Sequence, residues 1–215
     1  MISIHKALII SGLAILAGSL IFFFTDRVNR YAIYSDTQQK LEAVNQVQIS
    51  NSAESTKGGA VQQITSPIRP IIIDIPSLNI STQIEPVGIN PNNGSMAVPS
   101  SYYTVAWFEP GFRPGEPGRA VLAGHYDNSL GLDGVFKNLD RINIADEIIL
   151  YDEQGNQQVY VVDDVIEVPN NLEDVSGIFG PADKPRISVI TCGGSWIGDY
   201  RTYDKRTVVS AVIRE

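Results

Sequence analysis

The sequence predicts an all-β domain carried behind a single apolar N-terminal segment. Three observations predict it. From Pro67 onward the chain is a series of short β-branched runs separated by Gly, Pro and Asn, and many short strands at regular spacing indicate a sandwich or barrel. Gly155-Asn156 lies between two such runs, a hairpin signal. Residues 7–24, by contrast, are one apolar run relieved only by Ser11, Gly12, Gly18 and Ser19.

Taken in order, residues 1–6 form a short N-terminal flank. Residues 7–24 would rise roughly 27 Å as a helix, just short of the ~30 Å hydrocarbon core of a bilayer. A signal-peptide core is usually ~7–15 residues long and is followed by a small-x-small cleavage site. Phe22-Phe23-Phe24-Thr25-Asp26-Arg27 offers no such site, so an uncleaved transmembrane anchor is expected, with residues 1–6 in the cytoplasm. A buried helix of a soluble core is the competing assignment, disfavoured because the run is apolar on every face. Residues 25–66 are the expected extracytoplasmic linker. Its first half mixes Gln, Glu, Lys and Asn with Ala, Leu and Val and can extend the helix, whereas 51–66 is rich in Ser, Thr and Gly and reads as a flexible spacer.

The domain itself spans 67–215. Strands are expected at 71–75, 82–87, 95–98, 120–125, 147–151, 158–168, 187–192 and 207–213. A helical turn is expected at 135–139, because Phe136 and Leu139 would share one face. Roughly 150 residues suffice for one hydrophobic core, and no internal repeat is evident.

Charge and composition exclude several function classes. The net charge is −8, with 16 Lys and Arg against 24 Asp and Glu. Five of the basic and four of the acidic residues lie in 1–66, so the domain carries 11 against 20 and shows no basic patch for a nucleic-acid partner. There is no Cys/His cluster with zinc spacing and no glycine-rich nucleotide fingerprint. Gly131-Leu132-Asp133-Gly134 and Asp163-Asp164 read as turn and surface acids.

The chemistry-bearing residues are few. Cys192 is the only cysteine, so it cannot form an intramolecular disulfide, and a leftover thiol in an exported protein is a candidate reactive group. It follows Ser188-Val189-Ile190-Thr191 and precedes Gly193-Gly194. An arbitrary lone cysteine is more often a small buried hydrophobe. Here the second histidine changes the weighing. Of the two histidines, His5 lies before the apolar run, leaving His125, after Leu122-Ala123-Gly124, as partner to the thiol. Trp107, Phe108, Trp196 and Tyr200 are candidates to line a groove, with core or loop packing the plainer role for each.

These elements resemble the sortase family of cysteine transpeptidases. Ser188-Val189-Ile190-Thr191-Cys192 is similar to the family's Thr-Leu-x-Thr-Cys signature, with Ser and Val at its first two positions. Leu122-Ala123-Gly124-His125 resembles the strand leading to the family's histidine, and Arg206 before Thr207-Val208-Val209 its arginine at the start of the last strand. Pro114-Gly115-Glu116-Pro117-Gly118 and Thr191-Cys192-Gly193-Gly194 look most like class F. The resemblance covers roughly 67–215 and implies a closed eight-stranded β-barrel, a form that leaves no exposed strand edge.

It also implies a reaction and a set of roles. Cys192 would be the nucleophile and acyl-thioester carrier, His125 the proton donor and acceptor, and Arg206 the oxyanion stabiliser. Arg201 competes for the last role, because its spacing to Tyr203 also resembles class F. Thr191 is a candidate substrate-binding residue. The implied substrates are surface proteins with a C-terminal Leu-Pro-x-Thr-Gly-like sorting signal, cut after Thr and joined to an amine of a cell-wall precursor, with no cofactor and no metal. Some sortases hold calcium through acidic loops, for which Glu167, Glu173 and Asp174 are the residues to consider here, but they lack a spaced carboxylate pattern. The chain ends two residues after the last expected strand, which favours single-substrate anchoring over pilus polymerisation. Two alternatives differ in kind. A membrane-tethered β-barrel could bind peptide or glycan without chemistry. An L,D-transpeptidase would need a Ser-His-Gly-Cys arrangement, whereas here 67 residues separate His125 from Cys192.

Overall fold

The computed structural model describes residues 25, 28–29, 31–33, 35–43, 46 and 65–215. The expected anchor at 7–24 and the spacer from 51 to 64 lie outside these residues. The described residues between 25 and 46 are helical, and among the described residues no helix is long and apolar enough to cross a membrane. Among the described residues, the helix is hydrogen-bonded to the domain through Gln83: Lys40 Nζ donates to Gln83 Oε1 at 2.9 Å and Gln83 Nε2 donates to Asp36 Oδ2 at 2.6 Å.

Eight strands close into a barrel: β1 (Ile72–Ile75), β2 (Ile80–Val87), β3 (Val105–Phe108), β4 (Gly118–Gly124), β5 (Glu147–Tyr151), β6 (Gln157–Pro169), β7 (Pro185–Ile197) and β8 (Thr202–Ile213). Their order around the barrel is β1-β2-β3-β4-β7-β8-β6-β5. The pairs β2–β3 and β4–β7 are parallel and the rest antiparallel. Successive side chains on a strand face opposite ways, so one set fills the barrel. Ile73, Ile75, Leu122, Ile148, Leu150, Tyr160, Ile187, Val189 and Val209 form that core and are fully buried. A buried tyrosine hydroxyl needs a partner, and Tyr160 Oη donates to Gln158 Oε1 at 2.7 Å.

Two expectations are corrected. Residues 95–98 form no strand; only Met96 makes an isolated bridge, to Ile89. A turn held by Asn90 and Asn93 folds this stretch back on itself. The missing strand is β3, four residues without polar alternation. Trp107, considered for a groove, is 1% exposed within it, and a strand buried at three consecutive positions shows no period of two. The second correction concerns Cys192, expected at a strand end. The β7 strand continues to Ile197 past a bulge between Gly193 and Trp196, and Gly194 at φ +77° supplies the left-handed residue a bulge accepts.

The hairpin at Gly155-Asn156 is present as a five-residue loop. Asp152 organises it, its carboxylate accepting from Gln154 N, Asn156 N and Asn156 Nδ2. The expected helical turn is a run of turns through residue 138 followed by a 3-10 turn at Leu139–Arg141, with Phe136 and Leu139 both fully buried.

Candidate active site

The site grows out of strand register. Ala123 on β4 pairs with Ile190 on β7, which pairs with Val208 on β8. This apolar row lies on the outside of the barrel. Two residues further along, Cys192 and Arg206 keep that face on β7 and β8, and His125 lies one residue past the end of β4. Cys192 and Arg206 are direct cross-strand partners. Thus three residues far apart in sequence meet at one end of the β4–β7–β8 sheet, and all three line a cavity of about 410 Å³.

The neighbouring strand ends are tied together. Thr191, 4% exposed, points to the opposite side of β7 from Cys192, and its hydroxyl donates to the Gly124 carbonyl at 2.9 Å. On the next turn Phe136 N donates to the His125 carbonyl at 3.0 Å and Gly134 N to the Tyr126 carbonyl at 2.9 Å. That turn passes so close that a Cβ on Gly134 would meet the His125 carbonyl oxygen at 2.3 Å.

Two connections wall the cavity. Residues 95–99 form one side and the β6–β7 connection the other, with Leu172, Val175, Ile178 and Phe179 facing in. The second wall is fastened to the barrel by Ser188, whose hydroxyl donates to the Ile178 carbonyl at 2.9 Å, and by an edge-on contact of Phe179 with Phe108 at 5.7 Å. The lining is mostly apolar and can accept an extended apolar peptide, with a polar edge at His125, Cys192 and Arg206.

Burial dominates the electrostatics. It raises the Cys192 thiol above its ordinary pKa; Arg206 pulls it back down and Asp127 adds to the rise. Burial lowers the His125 imidazole, while a hydrogen bond to the Pro99 carbonyl and the charges of Asp127 and Glu85 oppose that. Arg206 is anchored by its own strand, donating through Nη1 to the carbonyls of Tyr203 (3.1 Å) and Lys205 (2.8 Å) and through Nη2 to Thr202 Oγ1 (3.3 Å). These bonds use part of a five-donor fork. Arg201 instead caps the 3-10 turn Gly198–Tyr200 in the left-handed conformation and is exposed, outside the cavity lining.

Asp127 is a residue that sequence reasoning passed over. It accepts a hydrogen bond from the Tyr203 hydroxyl and acts on both His125 and Cys192. Its signal was its place two residues beyond the histidine. The aromatic candidates separate: Trp107 belongs to the core, Phe108 backs the cavity wall, and Trp196 near the end of β7 and Tyr200 in the β7–β8 turn are exposed, at 56% and 78%. Trp196 also meets the Tyr203 ring at 5.2 Å. The acids weighed for calcium have local partners in two cases. Glu167 pairs with Lys205 at 2.8 Å, and Asp174 accepts from Ser176 N at 2.9 Å.

A family model for the sortase domain matches residues 73–214. The chain belongs to the sortase family. Solved sortases share its fold at low identity. A Clostridium perfringens sortase D5 transpeptidase superposes with a TM-score of 0.51 at 22% identity, covering 69% of this chain and 82% of that one. A lid mutant of sortase A from Corynebacterium diphtheriae gives 0.52 at 19%, covering 84% and 95%. The Clostridium perfringens sortase C solved with the C-terminal cell wall sorting motif gives 0.50 at 17%, covering 84% and 90%. No curated protein matches the chain.

Proposed function

We propose that this sortase is a membrane-anchored cysteine transpeptidase of class F type. It cleaves a C-terminal Leu-Pro-x-Thr-Gly-like sorting signal after Thr and passes the protein to an amine of a cell-wall precursor. The observation that carries the reading is the meeting of His125, Cys192 and Arg206 along one apolar-walled cavity. A solved sortase C carrying the cell wall sorting motif gives the substrate class its precedent.

Acyl transfer from a peptide bond needs a nucleophile, a proton donor for the leaving amine and a stabilised oxyanion. The Cys192 thiolate attacks the scissile carbonyl carbon, and the electrons move onto its oxygen, which faces the Arg206 guanidinium. Collapse expels the amine as imidazolium His125 protonates it, leaving a Cys192 thioester. An incoming amine attacks the thioester, neutral His125 takes the surplus proton, and the thiolate departs. Arginine suits the oxyanion because it stays cationic throughout. Arg206 is preferred to Arg201 because a strand holds a donor more rigidly than a turn.

Cys192→Ala is expected to abolish cleavage of sorting-signal peptides while the protein keeps its thermal midpoint, and wild-type enzyme trapped with substrate is expected to carry the acyl group on Cys192. Undiminished cleavage by the alanine variant sinks the reading. Residues 7–24 serve as the anchor with the barrel outside the membrane, since the substrates are exported proteins. Protease added to wall-stripped cells is then expected to digest the barrel, and complete protection would reverse the orientation.

A further inference from the structure

Glu85 lies on β2, away from the strands that carry the reacting groups, and it is partly buried. Its carboxylate accepts from three neutral donors on one short segment: Ser100 N at 3.1 Å, Ser100 Oγ at 3.0 Å and Thr104 Oγ1. A fourth bond from the same strand holds that segment, Thr82 Oγ1 donating to the Tyr103 carbonyl at 2.6 Å. The clamped segment touches His125 twice. The Tyr102 ring lies against the imidazole, centroids 4.7 Å apart and planes tilted by 52°, and the Pro99 backbone beside it holds up the proton affinity of the ring. A carbonyl facing one ring nitrogen favours the tautomer protonated there and leaves the other nitrogen for chemistry.

We propose that Glu85 is a positioning residue for His125: by fastening residues 100 and 104 it holds the Pro99 carbonyl and the Tyr102 ring against the imidazole, selecting the ring orientation and tautomer used toward Cys192. Its charge, paired only with neutral donors, also favours the imidazolium. The other charge that acts on the ring is Asp127 on its own turn, and Cys192 on β7 and Arg206 on β8 line the same cavity. None of these bonds Glu85, so its removal leaves them in place.

The inference rests on the transpeptidase reading for its kinetic arm alone; its spectroscopic arm does not. In the purified full-length protein, the imidazole signals of His125 are followed by NMR across pH, with the His5 signals identified in His125→Asn. Glu85→Ala is expected to convert a single-tautomer His125 signal into an averaged one and move its titration midpoint to lower pH. The same variant is expected to lower kcat about 10- to 100-fold with little change in KM, the scale of a small misplacement of a reacting group. Glu85→Gln, which keeps an acceptor oxygen and nearly the same shape, is expected to retain the tautomer while still moving the midpoint down. It serves as the test if the alanine variant does not fold. A wild-type tautomer and midpoint in folded Glu85→Ala overturn the proposal, as does a kcat loss unaccompanied by any change at His125. Failure of the transpeptidase reading shows separately, as retained cleavage in Cys192→Ala.

Discussion

Burial disfavours the charged form of both side chains proposed to react, raising the Cys192 thiol and lowering the His125 imidazole. The resting pair is therefore thiol and neutral imidazole near neutral pH, and the reactive thiolate–imidazolium pair is a minor form. The sign follows directly. Activity rises with pH through the lower pKa, that of His125, and falls through the higher, that of Cys192, so kcat/KM is expected to be bell-shaped. Arg206 is the one neighbour that lowers the thiol. In Arg206→Met the alkaline limb should move to higher pH and the bell should shrink. Arg206→Lys keeps the charge and should leave that limb nearly in place, while loss of the planar fork costs on the order of 10²–10³ in kcat. Full pH–rate profiles of both variants check this. Large loss in Arg201→Lys with little in Arg206→Lys would transfer the role to the turn. The candidates Cys192, His125 and Arg206 stand out in the sequence as a lone thiol, the one histidine of the 67–215 domain and an arginine entering a β-branched run. Asp127 and Glu85 do not, since neither has a sequence spacing that ties it to the thiol.

At the scale of elements, the site depends on β4 and β7 lying side by side in parallel, although β5 and β6 intervene in the chain. Hydrophobic texture revealed that both segments were strands and could not reveal their adjacency. The β3 strand escaped notice because three consecutive buried residues carry no alternation, and the residues of β7 beyond Cys192 escaped because Gly193-Gly194 reads as a loop where the strand bulges. The hydroxyl of Thr191 is the one side-chain bond joining the thiol-bearing strand to the Gly124 carbonyl beside the histidine. Thr191→Val keeps the shape and removes the donor, and losing one such hydrogen bond costs about 0.5–1.5 kcal/mol. The expected outcome is a lowered denaturant midpoint with a larger proportional fall in kcat, and recovery of both in Thr191→Ser. Equal activity in Thr191→Val would mean the strands keep their spacing without it.

At the scale of the whole molecule, closure requires β1 to bridge β2 and β5 while β8 bridges β7 and β6, so no sheet edge is left exposed. The family resemblance made this closed form an expectation, whereas alternation alone reaches only as far as a sandwich or barrel. The proposed reacting groups are also divided unequally along the chain. The Asp152 loop between β5 and β6 is a short surface connection, and everything before it includes His125 while everything after it includes Cys192 and Arg206. A protein cut within that loop would therefore fall into two halves, each chemically mute. The halves meet again along the β5–β6 and β4–β7 ladders and along part of the core. Fused to two interacting partners, they would regain peptide cleavage only when brought together, making the barrel a reporter of proximity whose signal is a covalent bond.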